Sequence, residues 1–199
     1  MTQSTQDRII NAAIELVKEK GFVGATTREI AKRAQVNEVT LFRHFGNKKG
    51  IIEAAIEKLS FVNSLSVSLS EDVVWDLTKD LSMIVKIYQT KLEEKRDLIL
   101  ISFKEAGRFP ELDQMISGLP MKYKEMVMDY FQTMIQKGKV PPFNVEIAAT
   151  NFLFLNFGYF MLKSRLNPLA EDMSLDKFIN QNVAQFIDSL QGEPSMNSD

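Results

Sequence analysis

The sequence predicts an all-α protein: a three-helix helix-turn-helix domain at the N-terminus, then a larger helical domain, about nine helices in total. Three observations predict it. Helical periodicity runs along most of the chain, and no apolar alternation bounded by turn residues marks a strand. Residues 26–50, TTREIAKRAQVNEVTLFRHFGNKKG, read as two short helices joined by a tight turn and followed by a basic start to a third. The charge is divided. Residues 1–50 hold nine Lys/Arg and five Asp/Glu, a net of +4, whereas residues 51–199 hold fifteen and twenty-one, a net of −6. A small basic domain on an acidic body suits a nucleic-acid contact confined to one end.

The first helix is expected over Thr5–Lys20, capped by Ser4 and ended by Gly21. Ile9, Ala12, Ala13, Leu16 and Val17 form its buried stripe. Thr26 caps the second helix, and Glu29 three residues on completes the capping-box pattern. Ile30, Ala31 and Ala34 give that helix one apolar face. Asn37 caps the third, Glu38–Phe45, on which Leu41 and Phe45 turn inward with Val36. Glu38, Val39, Thr40, Phe42, Arg43 and His44 are left on other faces. A helix of this size with such an outward face fits the DNA major groove.

Asn47 caps a fourth helix from Lys48, with Ile51, Ile52, Ala55, Ile56 and Leu59 inward. The serine-rich stretch Ser60–Ser70 weakens its far end, and the hinge between domains is expected along it. Five further helical stretches follow: 72–94, 96–106 broken at Gly107 and Pro110, a short turn over 111–116 stopped by Gly118 and Pro120, 121–137 ended by Gly138, and an apolar helix from the cap Asn144 to about Leu166. Ser174 caps a last amphipathic helix to about Leu190, and the tail GEPSMNSD is expected to fray. The expected domains are therefore 1–50, 51–192 and a flexible tail at 193–199.

Composition excludes several classes. There is no Cys, hence no disulfide, no thiolate nucleophile and no cysteine-ligated zinc. The N-terminus is polar and lacks a signal-peptide core, and no run of about 18 apolar residues is seen, so a cytoplasmic protein without a membrane partner is expected. The single His lies in the third helix, and neither GxxxxGK[ST] nor GxGxxG occurs. Nothing assembles a nucleophile, a base and an orienter, and no cofactor, metal site or catalytic residue is expected. Two rivals stay open: a helical scaffold or adaptor, and an enzyme with a site built from distant carboxylates.

The first 55 residues resemble the tetracycline-repressor (TetR) family of transcription regulators. The resemblance rests on Arg8, Ile9, Ala12, Ala13, Leu16, Gly21 and Phe22, then on Thr26, Thr27, Ile30, Ala31, Ala34, Val36, Thr40, Leu41, Phe42, His44, Phe45, Lys48 and Lys49. The chain departs from the family's habit in having Gln35 for the usual Gly, Val39 for a small residue or Pro, and Phe42 for a frequent Tyr.

The resemblance implies a regulator, usually a repressor, that binds a palindromic double-stranded DNA operator as a homodimer. It implies phosphate contacts by Thr27, His44 and Lys48. Thr26, Asn37 and Lys49 lie at the helix starts beside them. Arg28, Glu38, Val39, Thr40 and Arg43 are candidates for base edges, with Phe42 against a sugar. It implies dimerisation through the last two helices, where NFLFLNFGYFMLKSRL is apolar nearly all round.

Nine of the ten Met and eleven of the fourteen Phe follow residue 50. Such side chains line adaptable apolar pockets. A pocket for a small apolar or amphiphilic effector is expected among Met83, Phe103, Met126, Tyr130, Met134, Phe152, Asn156 and Tyr159. Asn156, a polar amide in an apolar run, needs a partner from backbone, subunit or ligand.

Overall fold

The computed structural model describes residues 3–59, 65, 67, 71–105, 107, 110–165 and 172–192. The elements are α1 (Thr5–Gly24), α2 (Thr27–Arg33), α3 (Glu38–Phe45), α4 (Lys48–Leu59), α5 (Leu77–Glu94), α6 (Arg96–Glu105), α7 (Pro110–Gln136) and α8 (Val145–Arg165). Then α9 (Leu175–Phe178) runs through a π turn (Ile179–Val183) into α10 (Ala184–Gln191). No strand occurs among the described residues. The expected fraying tail and most of the Ser60–Ser70 stretch lie outside them.

The chain packs as two compact units, residues 1–60 with 95–118, and residues 61–94 with 119–199. In the first, α1 packs on α2, α4 and α6. Its core joins Ile9, Ala13 and Leu16 to Ile30, Leu41 and Ile51, and Leu98 of α6 belongs to it with Ile101 against it. Capping starts three of these helices as read from the residues. The N–H groups of Asp7, Glu29 and Thr40 donate to the side-chain oxygens of Ser4, Thr26 and Asn37. Glu29 reaches back to the Thr26 hydroxyl, 3.1 Å away.

Two glycines are forced. Gly21 has φ +74° inside α1, and a Cβ there would lie 3.1 Å from Glu105 Oε1. At Gly50 a Cβ would meet the Phe45 carbonyl oxygen at 2.2 Å, so only glycine lets α3 and α4 meet this closely. Gln35 holds φ +56° in the turn between α2 and α3, a conformation glycine adopts without strain.

In the second unit α5 packs on α8, on the π turn and on α10. Two expected boundaries differ. Helix α5 starts at Leu77 rather than Asp72, because the buried Asp80 carboxylate accepts the N–H groups of Val74 and Asp76 and turns the chain there. Trp75 in this turn has φ +57°. Helix α7 does not stop at Gly118 and Pro120; it is continuous, with Pro120 inside it. Proline gives up one hydrogen bond there, and the buried Tyr123, Val127, Tyr130 and Phe131 hold the helix beyond it. Gly21 breaks α1 as expected, with φ +74° and ψ 176°, and a further short turn follows to Gly24.

The expectation that no stretch is apolar enough to span a membrane is also corrected. By length and composition α8 passes, with a mean hydropathy of 1.3. Averaging over the helix absorbs Asn156 and Gly158, which interrupt the apolar run. Only 28% of that window is buried within one chain, so α8 keeps an apolar face outward.

Candidate nucleic-acid interface

The local sequence turns one face of α3 outward. Leu41 is fully buried, while Val39 is 75% and Phe42 41% exposed. Arg43 is exposed beside them, and Thr40 and His44 are half-buried. Arg28 on α2 is exposed too. Neither Arg28 nor Arg43 takes part in an ion pair among the described residues, whereas Arg33 is bound by Glu19 at 2.6 and 2.8 Å and Lys20 by Glu29. Both guanidiniums are exposed, Arg28 on α2 and Arg43 on α3.

Glu38 is not free in the same way. The Thr27 hydroxyl donates to its carboxylate at 3.1 Å, tying the start of α2 to the start of α3. The Thr26 hydroxyl is likewise engaged by Glu29. Asn37 and Asn47 work as caps; Asn47 Oδ1 accepts from Gly50 N–H at 3.0 Å.

Lys48 is more constrained than its sequence position suggests. Its ammonium donates to the Phe22 carbonyl at 2.5 Å and the Val23 carbonyl at 3.4 Å. Partial burial without a carboxylate partner lowers its pKa. Lys48 stands at the start of α4, where backbone N–H groups favour anions. Lys49 is exposed, with Glu53 3.9 Å away. The His44 ring is tilted 50° to that of Phe45, centroids 6.2 Å apart.

The chemistry of this face is that of a duplex reader. It has exposed Arg and Val beside a half-buried Thr on a helix of groove width, and a fixed ammonium at its flank. Comparison with known proteins decides the matter. The profile for "Bacterial regulatory proteins, tetR family" matches residues 9–55. That for "AefR-like transcriptional repressor, C-terminal domain" matches residues 87–189.

The chain belongs to the TetR family. It is 34% identical over 189 residues to the HTH-type transcriptional regulator YvkB of Bacillus subtilis (strain 168), covering 95% of this chain and 98% of that one. Its fold is shared by a putative TetR-family regulator from Syntrophomonas wolfei, at a TM-score of 0.77 and 19% identity, covering 97% and 98% of the two chains. It is shared also by FadR from Bacillus subtilis, solved in complex with stearoyl-CoA, at a TM-score of 0.66 and 20% identity, covering 93% and 97%. This TetR-family protein is accordingly a DNA-binding transcriptional regulator and not an enzyme.

The residues expected to line an effector pocket separate. Met83, Met126, Tyr130, Met134, Phe152, Asn156 and Tyr159 lie buried or half-buried in the second unit. Phe103 lies in the first, 51% exposed. Tyr130 donates to the buried Asp80 at 2.9 Å, and burial followed by that carboxylate raises its pKa. Tyr159 stacks on Phe178 at 4.2 Å and donates to the Met173 carbonyl at 3.3 Å. The first unit holds an apolar cavity of about 40 Å³ between α1, α4 and α6, lined in part by Val17, Ile52 and Leu98, too small for an effector. Sequence reasoning missed Tyr123, which is fully buried between Tyr88 and Phe152. Its spacing to Val127, Tyr130 and Met134 marks an inward face and was the available signal.

Proposed function

We propose that the protein is a cytoplasmic repressor that binds a palindromic operator as a homodimer and is released by a small, mainly apolar effector. The observation that carries it is the outward face of α3, with Val39 and Arg43 exposed and Lys48 fixed beside it. One such helix reads only a few base pairs, so useful affinity needs two copies about one helical turn apart. Thr27, His44 and Lys48 contact phosphates; Arg28, Glu38, Val39, Thr40 and Arg43 meet base edges.

The dimer forms through α8 and the α9–α10 helix. Ile147, Phe154 and Leu162 are 58, 66 and 40% exposed along α8, and the space beside Gly158 is open within one chain, which favours close approach of a second. The stearoyl-CoA held by FadR supports an amphiphilic effector for this fold. The effector must bind the DNA-free state better than the DNA-bound one, and DNA weakens its binding by the same factor.

The test is selection of bound duplexes from a randomised pool at physiological salt. Enrichment of a palindrome is the expected result. Salt-sensitive binding without enrichment would overturn the operator reading and return weight to a scaffold role.

A further inference from the structure

Among the described residues, the buried side-chain oxygens of the second unit without a hydrogen-bond partner include those of Tyr123 and Asn156. Tyr123 on α7 is 1% exposed, and its hydroxyl has no hydrogen-bond partner. Asn156 on α8 is fully buried; its Nδ2 donates to the Phe152 carbonyl at 2.8 Å, and its Oδ1 has no partner.

Both belong to one cluster. The Tyr123 ring stacks on Tyr88 with centroids 4.2 Å apart and on Phe152 at 6.5 Å. The Phe152 backbone is the group that Asn156 holds, and Gln89 Nε2 donates to the Asn156 carbonyl at 2.8 Å. Phe at 123 and Leu at 156 would pack here without burying an unpaired oxygen. Buried polar groups are otherwise almost always paired, so these two oxygens ask for a function.

We propose that Tyr123 and Asn156 are the polar anchors of the effector site, and that they select an un-ionised effector: a hydroxyl or amide on an apolar body. The inference rests on the effector reading above and narrows it. The Tyr123 hydroxyl has a proton to donate and burial keeps it there, while Asn156 Oδ1 requires a donor. A carboxylate brings no proton to Oδ1, and no described Lys or Arg of this unit is buried to balance its charge. The aromatic rings of Tyr88, Tyr123 and Phe152 around these oxygens suit an apolar body on the ligand.

The experiment uses the full chain and three matched probes: 2-naphthylmethanol, 2-naphthamide and 2-naphthoate. Melting temperature and release of the selected operator are both read. The two neutral probes are expected to raise the melting temperature and release the operator; naphthoate is not. Tyr123→Phe and Asn156→Leu each weaken the neutral probes about threefold to tenfold, the loss of one hydrogen bond. Without ligand, Tyr123→Phe is expected to melt no lower than wild type, because its hydroxyl has no partner to lose. Three results overturn the proposal: a lower melting temperature for Tyr123→Phe alone, equal response to naphthoate, or no response to either neutral probe. Operator release by stearoyl-CoA that Tyr123→Phe leaves unchanged would sink these anchors yet keep the effector reading. Absence of release by any apolar compound would sink both.

Discussion

The Lys48 ammonium lies 2.5 Å from the carbonyl oxygen of Phe22, so the first residue of α4 closes the last turn of α1. One charge serves two elements. It satisfies orphan carbonyls at a helix end and stands where α4 offers its own N–H groups. Lys48→Ala should weaken binding to all DNA sequences by a similar factor and reduce the salt slope by about one. It should also cost about 1 kcal/mol of stability through the lost cap. Equal salt slopes for wild type and variant would remove Lys48 from the phosphate contacts.

Gln35 occupies a left-handed conformation with φ +56°. A non-glycine residue there costs about 1–2 kcal/mol, partly offset by the extra unfolded-state freedom of glycine. Gln35→Gly is therefore expected to stabilise the protein by about 0.5–1 kcal/mol, read as a higher urea midpoint at unchanged slope. Gln35→Val should lower that midpoint.

Asp80 accepts from Val74 N–H, Asp76 N–H and the Tyr130 hydroxyl, at 3.0, 3.1 and 2.9 Å. Asp80→Asn turns an amide N–H₂ toward one of these donors and should destabilise by about 2–3 kcal/mol. Trp75, the single tryptophan, stacks on Tyr130 at 6.3 Å under the Lys137 ammonium and reports the change. Its emission should shift to the red in the folded variant. An unchanged emission and midpoint would show that Asp80 does not hold the turn.

Three exposed carboxylates tie α1 to its neighbours. The pKa of Glu19 is lowered by its hydrogen bonds to Arg33, that of Asp7 by Lys58 and that of Glu29 by Lys20. A lowered folded pKa means stability that is present above the unfolded values, 4.5 for Glu and 3.8 for Asp, and lost as pH falls through the folded ones. Wild type should melt above Glu19→Gln at pH 6, and the gap should close as pH falls from 4.5 through the lowered folded pKa, measured by thermal unfolding across the acid range. A gap that persists at pH 2 would contradict the linkage.

Phe154 is 66% exposed on α8, so Phe154→Glu should leave the single-chain fold intact. Sedimentation is expected to show monomers where wild type shows dimers. Affinity for a full palindrome should fall toward that for a half-site. A dimeric Phe154→Glu protein would move the interface off this face.

The helix-turn-helix was legible because it is local. Ser4, Thr26 and Asn37 announce helix starts through their own side chains, and Leu41 against Val39 is a matter of spacing along one helix. The second unit was less legible. Helix α7 running through Pro120 is a packing outcome, and no local rule predicts it. Phe103 shares the apolar character of Phe152, yet one is exposed in the first unit and the other is buried in the second. Hydrophobicity says that a side chain prefers cover and does not say which neighbour provides it.

The sequence by itself determined the helical class, the caps, the divided charge and the residues that face outward on α3, because each depends on contacts within a few residues. Only the tertiary structure decided that Lys48 caps α1, that Glu38 is tied to Thr27, that Asp80 holds the turn before α5, and that Tyr123 and Asn156 lie buried with unpaired oxygens. Most of those facts join residues well apart in sequence, 11 positions for Thr27 and Glu38 and 50 for Asp80 and Tyr130, or turn on what surrounds one oxygen, and pattern along a chain does not carry that information.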